Sequence, residues 1–245
     1  MKIEERKFGL IGYPLSHSFS PTYFKRKFER DDISDSRYDL YPIESIHKLP
    51  EIVQEGVLGL NVTIPYKEEV LEYVDELSPE AEIIGAVNTL KINNDKICGY
   101  NTDAFGFRTS LIRLLNGTII ENALILGSGG ASKAVQYVLT EMGIKSMVVS
   151  RSKGDILYSE LDQKLIESSR LIVNTTPLGM SPKIDELPPI PYSYIGDKHF
   201  LYDLIYNPEK TLFLERGLMQ NAHVMNGYDM LCLQAEKSWE IWNKV

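Results

Sequence analysis

The 245-residue sequence predicts an α/β protein built of two domains, and three observations carry that expectation. Short apolar runs that read as buried strands alternate with segments of helical period, which is the rhythm of βαβ units. After residue 101 the alternation starts afresh, with a new strand and a glycine-rich turn. With 43% hydrophobic residues the chain can build two modest cores, since domains usually run to ~100 to 200 residues.

The elements follow in order. Lys7 to Gly12 reads as a buried strand, and Ser20-Pro21 opens a helix with Ser20 at the cap and Pro21 in its first position. Arg37 to Pro42 is a second strand, and Leu58 to Ile64 a third, ended by Pro65. Lys67 to Val74 has helical period, with Val70, Leu71 and Val74 on one face. Ala104, Phe107, Leu111 and Leu114 are spaced as in an amphipathic helix, which Thr102 caps. Asn122 to Leu126 is the next strand, followed by a helix to about Met142 and a strand from Ser146 to Ser150. Leu171 to Val173 and Phe200 to Leu204 are continuous apolar runs, as parallel strands buried between helices require. Tyr228 to Trp242 carries Leu231, Ala235, Trp239 and Trp242 on one side and reads as a helix packed on protein.

The turn Leu126-Gly127-Ser128-Gly129-Gly130-Ala131-Ser132 joins a strand to a helix, the context in which glycine patterns bind dinucleotides. Gly127 allows a tight turn, Gly129 lets backbone approach a pyrophosphate, and the helix N-terminus that Gly130 and Ala131 open complements its charge. About 20 residues later an NAD-binding chain usually presents Asp or Glu to the ribose. Here that strand ends Ser150-Arg151-Ser152-Lys153, and Arg151 suits the 2′-phosphate of NADP.

Composition excludes other classes. Asp and Glu number 34 against 26 Lys and Arg, so no cationic field exists for nucleic acid. No apolar run approaches the ~18 residues of a membrane span, and the charged first eight residues do not read as a signal peptide, so a cytoplasmic location is expected. Cys98 and Cys232 form no metal or disulfide pattern and read as small core residues.

Polar clusters in the first half ask for more than structure. They are Ser16-His17-Ser18-Phe19-Ser20-Pro21, Asn61-Val62-Thr63-Ile64-Pro65-Tyr66-Lys67, Gly85-Ala86-Val87-Asn88-Thr89 and Asn101-Thr102-Asp103. Each residue alone has a plain reading; Asp103, for example, suits the positive end of a helix. Taken in order, and followed by the glycine turn, by Asn174-Thr175-Thr176-Pro177-Leu178-Gly179-Met180, by Tyr202 to Tyr206 and by Asn226 to Gln234, they resemble the shikimate dehydrogenases over nearly the whole chain.

The resemblance implies a substrate-binding catalytic domain of residues 1–101 plus 227–245 and an NADP-binding Rossmann domain of 102–226. It implies that Ser18, Ser20, Thr63, Asn88, Asp103, Tyr206 and Gln234 bind shikimate, with Lys67 and Asp103 as the catalytic pair. Ser152, Thr175 and Gly227 join Gly127, Gly129, Gly130, Ala131 and Arg151 around NADP(H). Relatives often read Asn-Arg-Thr with a second Arg nearby, whereas this chain has Ser150-Arg151-Ser152, then Lys153 and Asp155. Reduction of a ketone leaves an alkoxide that needs a proton, for which Lys67 is the natural donor, and no metal is called for. Which of Lys67 and Asp103 finally carries the proton is open, as is the choice between monomer and homodimer. A quinate-using relative and a pocket without turnover are the alternatives; Arg151 opposes an NAD-linked quinate enzyme, and an NADPH-oxidation assay separates the second.

Overall fold

The computed structural model describes residues 5–15, 18–94 and 96–244. The chain divides into two compact units, one running to Thr102 and resumed from Gln234, the other spanning Asp103–Leu233. The divisions fall one residue and seven residues beyond the boundaries at 101 and 226 read from the sequence. Both lie inside continuous helices, where periodicity has no break to mark them.

Unit 1 is built on a six-stranded mixed sheet in the order β2-β1-β3-β5-β6-β4. Its strands are β1 (Arg6–Gly12), β2 (Ser36–Pro42), β3 (Val57–Val62), β4 (Glu76–Leu77), β5 (Thr89–Asn93) and β6 (Lys96–Tyr100). Strand β1 runs parallel to β2 and β3, whereas β5 is antiparallel to both β3 and β6. The helices are α1 (Ser20–Arg30), α2 (Leu49–Gln54) and α3 (Pro79–Ile84). On one side of the sheet Ile11, Leu49, Leu60, Val70 and Leu90 form a buried cluster. A second cluster joins Phe8, Phe24 and Phe28 to Ala235 and Trp242 from the last helix, α8 (Tyr228–Asn243). Trp242 stacks on Phe8 with ring centroids 4.9 Å apart and donates its indole N–H to the Leu90 carbonyl at 2.9 Å. Gly59 makes room for that ring: a β-carbon there would lie 2.3 Å from the indole nitrogen.

Unit 2 holds a wholly parallel six-stranded sheet, ordered β12-β11-β10-β7-β8-β9. These strands are β7 (Asn122–Leu126), β8 (Lys145–Ser150), β9 (Ile156–Leu157), β10 (Leu171–Asn174), β11 (Phe200–Asp203) and β12 (His223–Met225). Numbered within the unit, the order is 3-2-1-4-5-6 reversed, the Rossmann arrangement, with its switch point between β7 and β10. Helices α4 (Thr102–Leu115), α5 (Gly130–Glu141), α6 (Gln163–Ser168) and α7 (Leu212–Met219) accompany it. The central strands β10 and β11 are buried along their whole length, as strands covered on both faces are.

Four local readings are corrected. Ser20 is the first helical residue of α1, with Phe19 at the cap position. Lys67 to Val74 forms a turn and a 3-10 helix over Glu69–Tyr73 rather than an α-helix, although Val70 is buried and Leu71 and Val74 pack on the core as expected. A short segment satisfies three apolar contacts equally well with either turn. Thr102 likewise starts α4 from inside, and its hydroxyl is engaged by Asn88, Thr89 and Ser238. Cys98 and Cys232 are both only partly buried, so neither is a core residue.

Candidate active site

In unit 1 the polar residues gather beyond the carboxyl ends of β1 and β3. The backbone N–H of Thr63 donates to the Ile11 carbonyl at 2.9 Å, and that of Tyr13 to the Ile64 carbonyl at 3.1 Å, so the two strand ends leave the sheet together. Ser18 donates its N–H to the Leu15 carbonyl at 3.2 Å. Ser16 and His17 of the same motif lie outside the described residues. Lys67 is half-buried in the turn after β3, and its carbonyl accepts the Val87 N–H at 2.8 Å, which ties that turn to the segment leading to Asn88.

Asn88 is buried, and its side-chain oxygen accepts the Thr102 backbone N–H at 2.7 Å while its amide donates to the Thr102 hydroxyl at 2.9 Å. Asp103 follows directly on this anchored residue and stands in the first turn of α4, whose N-terminus favours a carboxylate. Gln234 is 8% exposed. Its side-chain oxygen lies 3.4 Å from the Thr102 hydroxyl, and its carbonyl accepts the Ser238 hydroxyl at 2.9 Å.

A buried hydrogen-bonded path connects these residues. Burial raises the pKa of the Tyr38 phenol far above the usual tyrosine range. Tyr38 donates to the Asn61 side-chain oxygen at 2.8 Å, and the Asn61 amide reaches Ser238 at 2.9 Å and Thr89 at 3.2 Å. Thr89 donates to Asn88 at 3.1 Å, and Ser238 lies 3.2 Å from Thr102. The path therefore joins Asn88 and Gln234 to Tyr38 through Asn61, Thr89, Thr102 and Ser238. Asn61, Thr89 and Thr102 stand within the polar clusters of the sequence but were given no part in such a path, and Tyr38 and Ser238 escaped the sequence reading, the local signal for Ser238 being its place i+4 from Gln234 on the same helix face.

In unit 2 the glycine-rich turn leaves β7 at the switch point. Gly127 has φ +107°, a conformation that favours glycine, and a β-carbon there would lie 2.9 Å from the Thr175 hydroxyl on the neighbouring strand end. Thr175 donates that hydroxyl to the Leu126 carbonyl at 2.8 Å. Gly129 precedes α5 with open space around the site of a β-carbon, and Gly130 and Ala131 form its first turn, which contains no acidic residue. Such a helix start suits a pyrophosphate.

Arg151 and Ser152 are exposed at the carboxyl end of β8, on a turn held by the Ser150 hydroxyl, which accepts the N–H groups of Ser152 at 3.2 Å and Lys153 at 2.7 Å. The Asp155 carboxylate accepts the Val148 N–H at 2.7 Å. The donors present thus fit NADP. Tyr206 is half-buried on the loop after β11, and burial raises its phenol pKa. Gly227 is buried and donates its N–H to the Ile205 carbonyl at 3.0 Å.

Residues 10–90 match the model of the shikimate dehydrogenase substrate binding domain. A shikimate dehydrogenase (NADP(+)) of Clostridium beijerinckii is 41% identical across 97% of this chain and 92% of its own length. Among solved structures, a shikimate dehydrogenase from Aquifex aeolicus superposes with TM-score 0.87 at 31% identity, covering 98% of this chain and 92% of that one. The shikimate 5-dehydrogenase from Thermus thermophilus, in complex with NADP(H) and shikimate, gives TM-score 0.85 at 28% identity over 98% and 94%. With a full-length likeness at this identity and the Rossmann order of its second sheet, the chain belongs to the shikimate dehydrogenase family.

Proposed function

We propose that the protein catalyses the NADPH-dependent, reversible reduction of 3-dehydroshikimate to shikimate, the step of the shikimate pathway that leads toward chorismate and the aromatic amino acids. The observation that carries this reading is the pairing of a Rossmann switch point, with its open glycine turn and an Arg at the end of the second strand, to a family relationship spanning the full chain. Relatives crystallised with NADP(H) and shikimate support the same pair of ligands.

NADPH supplies the hydride when bound, and the protein's residues do the rest. Gly127, Gly129, Gly130 and Ala131 present backbone to the pyrophosphate, with Thr175 bracing the turn and Gly227 bracing the segment after β12. Arg151 and Ser152 take the 2′-phosphate, a planar guanidinium being suited to it. On the substrate side Ser18, Ser20, Thr63, Asn88, Tyr206 and Gln234 supply hydroxyl, amide and phenol groups to a small polyhydroxy acid. Lys67 provides a proton to the oxygen that gains charge as the ketone is reduced, and Asp103 orients and compensates the lysine. In the reverse direction the same pair takes the hydroxyl proton away. The first unit is the substrate-binding catalytic domain and the second the NADP-binding domain.

A spectrophotometric assay of NADPH oxidation tests the proposal. Oxidation that depends on 3-dehydroshikimate and releases shikimate is expected; a purified, folded protein that binds both compounds and turns neither over would leave it a pocket without catalysis.

A further inference from the structure

At the carboxyl end of β11 sits a carboxylate that the chemistry above does not use. Asp203 is 0% exposed, and three donors converge on it. The Thr211 hydroxyl lies 2.5 Å from one oxygen, and the Asn174 amide and the Ile205 backbone N–H each lie 3.0 Å from the other. These donors belong to different segments. Asn174 ends β10, and its own side-chain oxygen accepts the N–H and hydroxyl of Thr176 at 3.0 and 2.6 Å, shaping the turn that carries Thr175. Ile205 and Thr211 bracket the loop that carries Tyr206, and Thr211 also caps α7 by accepting the Leu214 N–H. The Ile205 carbonyl in turn receives the N–H of Gly227.

We propose that Asp203 is a positioning residue, the acceptor that locks the Thr175 turn, the Tyr206 loop and the Gly227 junction into one arrangement competent to bind substrate and NADP(H). The inference rests on the roles assigned to those three residues above. A carboxylate is the fitting group because all three partners donate, and an amide or a neutral acid turns one of its acceptors into a donor facing another donor. Its partners are neutral, so burial outweighs their hydrogen bonds, which act the other way, and pushes the carboxyl up to about 6. From β10 it faces Asn174, from the loop Ile205, and from the head of α7 Thr211. From the short turn Tyr192–Tyr194 the Tyr192 phenol feels its charge, and Arg216 of α7 acts on the same phenol. A buried carboxylate that disfavours its own charged form is retained for what it arranges rather than for stability.

The test is Asp203→Asn, close in shape and fixed in the uncharged form, compared with the parent from about pH 5 to about pH 8. At the upper end KM for both 3-dehydroshikimate and NADPH is expected to rise roughly tenfold with a smaller change in kcat. The variant-to-parent KM ratio should fall toward one as pH drops through about 6, because the parent then carries a proton too. Hydrogen exchange of amides in 174–180 and 204–211, measured without ligands, should quicken in the variant at high pH. A KM ratio constant across the range, or exchange unchanged in both segments, overturns the proposal. Thr211→Val, which removes one donor and leaves the carboxylate, should loosen 204–211 alone and supplies the exchange test if the Asn variant fails to fold. A parent that shows no turnover strikes the functional reading, and the ligand-free exchange then still decides the lock.

Discussion

Lys67 and Arg151 differ in how their substitution should register. As the proton donor proposed above, Lys67 would act on charge that exists only as the ketone is reduced, so Lys67→Ala should lower kcat by at least ~10²-fold with a smaller change in KM. Steady-state kinetics giving a large KM rise at unchanged kcat would make it a plain binding residue. The role proposed for Arg151 instead concerns a phosphate that only one cofactor carries. A charge-assisted contact contributes roughly 1.5 to 3 kcal/mol, so Arg151→Ala should cost ~10- to 100-fold in kcat/KM with NADPH and little with NADH. Equal losses with both cofactors would defeat the assignment. The reading of Arg151 rested on a local signal, an arginine ending a strand 20-odd residues past a glycine turn, whereas Lys67 alone reads as an exposed lysine and takes its role only from the order of the motifs around it. Tyr38, Ser238 and Asp203 were not given roles, because what each does depends on a partner brought in by the fold. Asn61 and Ser238 stand 177 positions apart in the chain and 2.9 Å apart in the structure.

Strands β7, β8, β10 and β11 of the second sheet were the most legible elements, since continuous apolar runs between helical segments leave little else to choose, whereas its short edge strands β9 and β12 went unread. Short irregular pieces were not: Lys67 to Val74 offers the same buried positions to a 3-10 turn as to an α-helix, and the antiparallel pair β5 and β6 lacks a long alternating pattern. The last helix shows both sides of this. Its apolar face was readable, while the partner of that face was not, because a glycine in a distant strand supplies the socket. Gly59→Ala should destabilise unit 1 by ~1 to 3 kcal/mol, since a β-carbon 2.3 Å from the Trp242 nitrogen forces the ring to move. Trp242→Ala should cost ~3 to 5 kcal/mol by leaving a cavity. In chemical denaturation the double variant should lose less than the sum of the two, and strict additivity would mean the ring and the glycine do not share the site.

Over the whole molecule, Asp203 is a buried contributor to the response of stability to pH near neutrality. The Asp203 carboxyl titrates at about 6 when folded against an ordinary 3.8, so the unfolded chain loses that proton first as pH rises. Stability from this group is fully present below about pH 4 and is lost as pH rises through about 6, a difference of order 3 kcal/mol. Asp203→Asn removes the titration, so the parent's unfolding temperature relative to the variant's should be higher near pH 4 than near pH 8. A parent-to-variant difference that does not change with pH would show that the carboxylate is not buried as described. The division into units has a consequence in time. Unit 2 is one uninterrupted stretch, whereas the first sheet is completed only by the helix that carries Trp242. During synthesis that helix emerges about 140 residues after β6, a delay of roughly 7 to 30 s at ribosomal speeds. Until then the aromatic side of the first sheet, around Phe8 and Phe24, lacks its cover. The half of the protein that is written first is therefore finished last, and a chaperone meeting the nascent chain would find its apolar target there.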